Sequence, residues 1–351
     1  MHRKIIQEDL ENIISLDLPW NEFSGKTFLI SGANGFLPAY MVETLLYLNQ
    51  QKSGRDKTKV IGIVRNREKS FARFAHYRGR SDLELRIQDV CAPLIISEEQ
   101  IDYIIHAASQ ASPKYYGTDP VGTLSPNVMG TANLLNLARE RNAEGFLFFS
   151  SGEVYGEVDA SRIPTKEDCY GYVDPTSVRS CYAESKRMGE TMCVSWYHQY
   201  NVPAKIIRPF HTYGPGMRLD DGRVYADFIS DIVNDRDITM KSDGRAVRAF
   251  CYLADAVQGI FAVLTKGSAG QAYNIGNSAA EISIIELADK LVAMFPKKNL
   301  RVIRHEALPE DGYLRSQISR NCPDISKART LGWEPKTTIE DGFRRTVRSF
   351  T

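Results

Sequence analysis

Residues 27–48, TFLISGANGFLPAYMVETLLYL, constrain this chain more than any other segment. Thr27–Ile30 is a short apolar run that stops at Ser31-Gly32. Leu37, Tyr40, Met41, Thr44, Leu45 and Leu48 then recur at helical spacing. Gly32 and Gly35 lie between the two patterns. They let the backbone turn tightly and approach a pyrophosphate, while the helix start offers free N–H groups and a favourable dipole. Strand, glycine turn and helix in that order point to a dinucleotide. Pro38 stands where a third glycine usually packs helix against sheet, and proline is tolerated in a helix's first turn.

The same alternation continues along the chain. Val60–Val64, Leu83–Ile87, Ile101–Ile105, Phe146–Phe149 and Ala204–Pro209 read as further strands, and Thr131–Arg141 as a helix. Strands separated by helices predict an α/β fold, a doubly wound parallel sheet of Rossmann type. Residues 1–25 read as a helical extension, with apolar positions from Ile5 to Leu18 and Pro19 as the stop. Residues 26–206 read as the dinucleotide-binding domain, with 249–276 returning to it. Residues 207–248 and 277–351 read as a smaller interleaved substrate lobe, because the second half is broken by YGPGM and NIGNS and no linker separates two units.

Composition narrows the class. With 44 basic and 43 acidic residues, net charge advertises neither nucleic acid nor an anionic membrane as partner. No apolar run approaches the ~18 residues of a membrane span, and the acid-containing start does not read as a signal peptide. Six cysteines without a CxxC pair read as reduced thiols in a cytoplasmic protein with no metal site.

The stretch SCYAESKRMGE places Tyr182 and Lys186 four apart, on one face of a helix. A nearby ammonium stabilises tyrosinate, so the pair is expected to bring the phenol's pKa towards neutrality and to exchange a proton with a sugar hydroxyl. Ser151, in SSGEVYG after the strand Phe146–Phe149, would hold the same oxygen. Arg65 ends the second strand where an acid usually holds the adenosine ribose. It can take a 2′-phosphate, stack on adenine, or stay a solvated loop charge, so the cofactor is NAD with NADP open.

These pieces, with SGANGF (31–36), DV (89–90), HAAS (106–109), PNVMGT (126–131) and RPFHTYGP (208–215), occur in one order. The sequence resembles the extended short-chain dehydrogenase/reductases that act on nucleotide sugars, the NAD-dependent epimerase/dehydratase family. The resemblance runs from about residue 26 to the end. It implies a Rossmann domain, a smaller substrate lobe, and a homodimer packed through the Tyr/Lys helix. It implies cofactor contacts from Gly32, Asn34, Gly35, Phe36, Arg65, Asp89, Val90, Ala107, Ala108, Asn127, Tyr182 and Lys186.

Within the family the chain is most similar to UDP-glucuronate decarboxylases, through HAASQASPKYYGTDPVGTL, YAESKRMGETMC, GPGMRLDDGRVYADFI and RAFCYLADAV. That similarity implies catalytic Ser151, Glu153, Tyr182 and Lys186, and substrate contacts from His211, Arg223 and Arg248. Glu153 is either a base at the sugar's C5 or a group organising the C5 substituent. Arg248 grips either a carboxylate or the diphosphate. The chain departs from the branch twice. Gly152 replaces a serine, leaves room beside Glu153, and lacks the aspartate of hexose 4,6-dehydratases. His211 replaces the usual asparagine. Both departures keep a nucleotide-sugar 4-epimerase or C4 dehydrogenase as the alternative, with a 4,6-dehydratase behind it.

Overall fold

The computed structural model describes residues 2–52, 54–240, 242–304 and 318–351. Its strands are β1 (Thr27–Ser31), β2 (Lys59–Val64), β3 (Leu83–Ile87), β4 (Tyr103–His106), β5 (Gly145–Phe149), β6 (Ala204–Pro209), β7 (His211–Tyr213), β8 (Ile238–Met240), β9 (Val247–Tyr252), β10 (Ala272–Ile275), β11 (Glu281–Ser283), β12 (Val302–Arg304) and β13 (Arg320–Asn321). The helices are α1 (His2–Ile14), α2 (Phe36–Leu48), α3 (Arg67–Arg73), α4 (Pro120–Ser125), α5 (Thr131–Glu140), α6 (Ser180–Tyr200), α7 (Val224–Val233), α8 (Leu253–Lys266), α9 (Ile284–Met294), α10 (Ser326–Arg329) and α11 (Ile339–Arg348).

Seven parallel strands form one sheet in the order β10-β6-β5-β4-β1-β2-β3. Their side chains alternate between two cores, as the period of two requires. Phe28, Ile30, Val60, Ile105 and Leu147 face the layer with α2 and α8. Leu29, Ile61, Ile104, Phe146 and Phe148 face the layer with α5 and α6. Both faces are therefore covered, which explains why these strands read as continuous apolar runs. The chain builds outward from β1 to β3, then restarts at β4 on the other side of β1. Ligands of such sheets bind beyond the carboxyl ends of the strands at that reversal.

A second layer of short strands lies beside this sheet. β9 pairs with β7 and β13 in parallel and with β11 antiparallel, and β8 pairs with β12. The boundary expected at 206 falls inside β6, and the return expected at 249 falls inside β9, so the chain rejoins the large sheet through α8 and β10. The tail also divides. Trp333 is buried on α8, donating to the Asp255 carbonyl oxygen (2.8 Å), while Phe343 of α11 stacks on Tyr213 of the second layer. Residues 305–317 of the expected lobe lie outside the described residues.

The N-terminal helix ends at Ile14, earlier than its apolar spacing predicts. Pro19 disfavours helix at Leu18 and its ring would collide with the Ser15 carbonyl, so the last turns unwind. What fixes α1 is Asp9. Its buried carboxylate accepts from Tyr40 of α2 (3.2 Å), Tyr252 at the end of β9 (2.9 Å) and Arg345 of α11 (2.7 Å). One side chain thus ties the dinucleotide layer to the second layer. Arg345→Ala leaves that carboxylate buried without its cation and is expected to lower the unfolding free energy by about 2–4 kcal/mol in urea titrations. The double variant Asp9→Asn/Arg345→Met is expected to lose less; an equal or greater loss would contradict the account.

Candidate active site

Every side chain singled out for the dinucleotide lies at or just beyond a carboxyl strand end, or on a helix that follows one. Gly32 leaves β1 with φ +66°, where a β-carbon would sit 2.8 Å from the Ala108 Cα. Its N–H bonds the Ile63 carbonyl oxygen (2.8 Å), and Gly35 N–H closes the turn on Gly32 O (2.8 Å). Asn34 completes the turn and Phe36 opens α2, whose first N–H groups have no side-chain cap. Pro38 sits within that first turn, where its missing N–H breaks no helical bond.

The other wall is held by a buried pair 75 residues apart. The Ser31 hydroxyl accepts from the N–H groups of Ala107 and Ala108 (3.2 Å each). It lies 2.7 Å from His106 Nδ1, while His106 Nε2 lies 3.0 Å from the Pro126 carbonyl oxygen. A carbonyl only accepts, so the proton belongs on Nε2 and Ser31 donates to Nδ1. Burial fits this neutral ring, pushing its pKa down to about 3. Asp89 and Val90 follow β3; Val90 packs against Gly130, and Asn133 of α5 donates to the Val90 carbonyl. Asn127 is buried, with its amide nitrogen given to Ser185 (3.0 Å) and its oxygen unpartnered among the described residues; the Ser109 hydroxyl is likewise unpartnered. A glycine cradle that a methyl group would fill, a free helix start and two orphaned polar atoms fit a dinucleotide.

Ser151 caps the 3₁₀ turn Gly152–Tyr155. Its hydroxyl accepts from Glu153 N–H (3.2 Å) and also hydrogen-bonds the Tyr182 phenol. Lys186, buried on the same face of α6, donates to the Phe149 carbonyl oxygen at the end of β5 (2.6 Å). Its ammonium lies 5.7 Å from the Tyr182 ring centre. The expected fall of the tyrosine pKa is not what this geometry gives. Burial raises it above the usual 10, against lowering contributions from the Ser151 hydrogen bond and the Arg223 charge. Lys186 is itself pushed down to about 7 by burial. The charge of Arg223 lowers the phenol's pKa.

Glu153 is ion-paired to Arg179 (3.3 Å), the residue that precedes α6. Arg179 lies over the Tyr116 ring (5.8 Å), and Tyr116 stacks on Tyr182 with ring centres 5.1 Å apart. Gly152 packs closely: a β-carbon there would meet the Phe210 ring at 3.2 Å. His211, on β7, has a buried Nδ1 without a partner among the described residues, and the charges of Arg248 and Arg223 both act on the ring. Arg223 donates to the Ala111 carbonyl and Tyr225 hydroxyl (2.9 and 3.2 Å). Arg248 donates to the carbonyls of Val247 and Ile318 (2.8 Å each). Arg65 stands apart, exposed after β2.

Sequence reasoning missed Tyr116, Arg179, Ser31 and His106 as contributors. Ser31 and His106 gave no local signal, since each is defined by a partner 75 residues away. Tyr116 sits in ASPKYYG, a stretch used for resemblance and not for chemistry.

A lysine whose folded pKa is depressed carries a cost that is full below the folded pKa and vanishes as pH rises to the unfolded value. Lys186→Met is therefore expected to raise the thermal midpoint at pH 6, with the gain shrinking steadily between pH 7 and 10. A gain independent of pH would contradict the buried charge. Arg223→Gln removes a charge that lowers the tyrosine pKa, so the rise of activity with pH is expected to move to higher pH; an unmoved profile would exclude that role.

A model of the NAD dependent epimerase/dehydratase family matches residues 28–276. UDP-glucuronic acid decarboxylase 6 of Arabidopsis thaliana is 35% identical, covering 91% of this chain and 87% of the relative. UDP-glucuronic acid decarboxylase 1 of Danio rerio is 33% identical, covering 94% of this chain and 74% of the relative. Among solved structures, the UDP-glucuronic acid 4-epimerase of Bacillus cereus, in complex with UDP-glucuronic acid and NAD, superposes with a TM-score of 0.76. It is 23% identical, covering 92% of this chain and 98% of that one. At that identity the likeness speaks for the fold. The matched span and the decarboxylase relatives go further, and place this chain in the NAD-dependent epimerase/dehydratase family.

Proposed function

We propose that the protein is a UDP-glucuronate decarboxylase-like enzyme that works by transient oxidation of the sugar at C4. The observation that carries this reading is the convergence of Ser151 and Lys186 on Tyr182, with two guanidinium groups, Arg223 and Arg248, around His211. Bound NAD supplies hydride exchange at C4. Tyr182 takes the proton of the C4 hydroxyl, and Ser151 holds that oxygen in line. Lys186 keeps a positive charge beneath the phenol when protonated. Oxidation at C4 turns a C5 carboxylate into a β-keto acid, which loses CO2 readily. Arg223, Arg248 and His211 offer charge and a hydrogen bond to the substrate's anionic groups. The Arg179 ion pair holds Glu153 beside Ser151 as a group that organises the C5 side.

A second reading, a 4-epimerase or C4 dehydrogenase, draws on Gly152 and His211. A side chain at 152, such as the serine of the decarboxylases, would meet the Phe210 ring at 3.2 Å and require that ring to shift by a few tenths of an ångström. Gly152 also provides no acid for a 4,6-dehydratase.

The exposed apolar side chains of α6 support a homodimer. Met188 is exposed on α6, and Val121 and Met129 are exposed on the two helical segments packed beside it; exposed apolar side chains on neighbouring helices mark an interaction face. A cytoplasmic location accords with six free cysteines, and no helix among the described residues is long and apolar enough to cross a membrane.

Incubation with UDP-glucuronate and NAD, followed by mass spectrometry, tests the reading. Loss of CO2 to give a UDP-pentose is expected, and Tyr182→Phe is expected to lower turnover by about 10²–10⁴-fold. An isomer of unchanged mass, or a reduced cofactor in step with product, would replace decarboxylation by the second reading.

A further inference from the structure

Three side chains of α6 grip three successive residues at the end of β5. Tyr182, Lys186 and Glu190 recur at a spacing of four, so they share one face of the helix. Tyr182 hydrogen-bonds the Ser151 hydroxyl, Lys186 donates to the Phe149 carbonyl oxygen (2.6 Å), and Glu190 accepts from the Ser150 hydroxyl (2.5 Å). The first two contacts build the acid/base site, and the third lies one helical turn below it.

Glu190 is itself held from the far side. Arg208 of β6 donates Nε to one carboxylate oxygen (2.8 Å) and Nη2 to the other (2.6 Å), and the pair is nearly buried. Arg208 Nη1 donates to the Tyr155 hydroxyl (2.8 Å), which donates to the Asn274 side-chain oxygen of β10 (2.6 Å). Such a bidentate fork fixes the carboxylate in orientation as well as in place. An ion pair that only tied α6 to the sheet would be complete with Arg208 alone. Here the carboxylate also takes the Ser150 hydroxyl, between the residue that holds Lys186 and the residue that holds Tyr182.

The surroundings of Lys186 give Glu190 a second part. The titratable groups that face this ammonium are Tyr182, Glu190 and Cys193 of α6 and His106 of β4, with Arg208 of β6 beyond Glu190. Burial holds the Tyr182 phenol, the Cys193 thiol and the His106 ring in their neutral forms. Glu190 is the carboxylate among them, and its charge is the first to oppose the fall that burial imposes on Lys186.

We propose that Glu190 is a positioning residue of the acid/base pair, fixing the end of β5 through Ser150 and holding Lys186 in its charged form. The assignment rests on Tyr182 and Lys186 as that pair, and not on which sugar is transformed.

The test is an NMR titration of the full chain carrying ¹³C at lysine Cε, with Lys186→Met identifying the signal. In the parent the ammonium is expected to titrate at about pH 7. Glu190→Gln keeps the shape and removes the charge, and is expected to lower that midpoint by about 1 pH unit or more. Glu190→Asp, which keeps the charge, is expected to stay nearer the parent. In turnover, Glu190→Gln is expected to lower kcat with little change in KM, and the alkaline fall of kcat is expected to begin at lower pH. Because Glu190→Gln leaves Arg208 buried without its anion, Glu190→Gln/Arg208→Gln is titrated beside it, with the same downward movement expected. An unmoved or raised midpoint in a folded variant would overturn the assignment, and so would failure of both variants to fold, which would make the pair structural. The titration is read without substrate, so a failed UDP-glucuronate assay and an unmoved midpoint remain separate results.

Discussion

The contact on which the site depends is the approach of two backbone turns at the reversal of the sheet. Gly32 after β1 lies so close to Ala108 after β4 that a β-carbon could not fit. The Ser31 hydroxyl clamps the second turn by accepting both of its N–H groups, and a neutral His106 fixes that hydroxyl in place. The glycine N–H groups close the turn itself, and the N–H groups at the start of α2 are left without a side-chain cap. The approach of the two turns is then held by hydrogen bonds among Ser31, His106 and the turn after β4. β2, followed by Arg65, and β5, followed by the Ser151–Tyr182 pair, lie at opposite ends of this reversal.

At the second end the protein holds a phenol and an ammonium in a place that favours neither charge. Burial raises the tyrosine and lowers the lysine, so two groups that are nearly matched in water are drawn apart, each towards its neutral form. Arg223 biases the phenol towards its anion, and it comes from the start of α7 in the second layer. The second layer therefore supplies part of the field that acts on this phenol. The Asp9 cluster ties that layer to the dinucleotide layer through α1.

Much of this was legible in the sequence, because it rests on periodicity. The alternating strands, the glycine turn and the Tyr182–Lys186 face of α6 each follow from local spacing, and the large sheet follows from their repetition. The lobe boundaries were not, since β6 and β9 run through the cuts at 206 and 249 and nothing in AKIIRP or RAFCYL marks where a strand changes layer. Long-range electrostatics were also hidden. The pairing of Glu153 with Arg179 spans 26 residues of loop. The close packing at Gly152 depends on Phe210, which arrives from another strand end. A glycine in sequence suggests room; only packing tells how near a ring stands to it.

The central claim is that the hydrogen at C4 leaves the sugar and comes back. Mass spectrometry of product made from UDP-glucuronate deuterated at C4 tests it most directly. The account predicts that the deuterium remains in the pentose, returned to C4 within the same site. Product that has lost the label would contradict it, and would mean that the oxidised carbon is not re-reduced by the hydride it gave up.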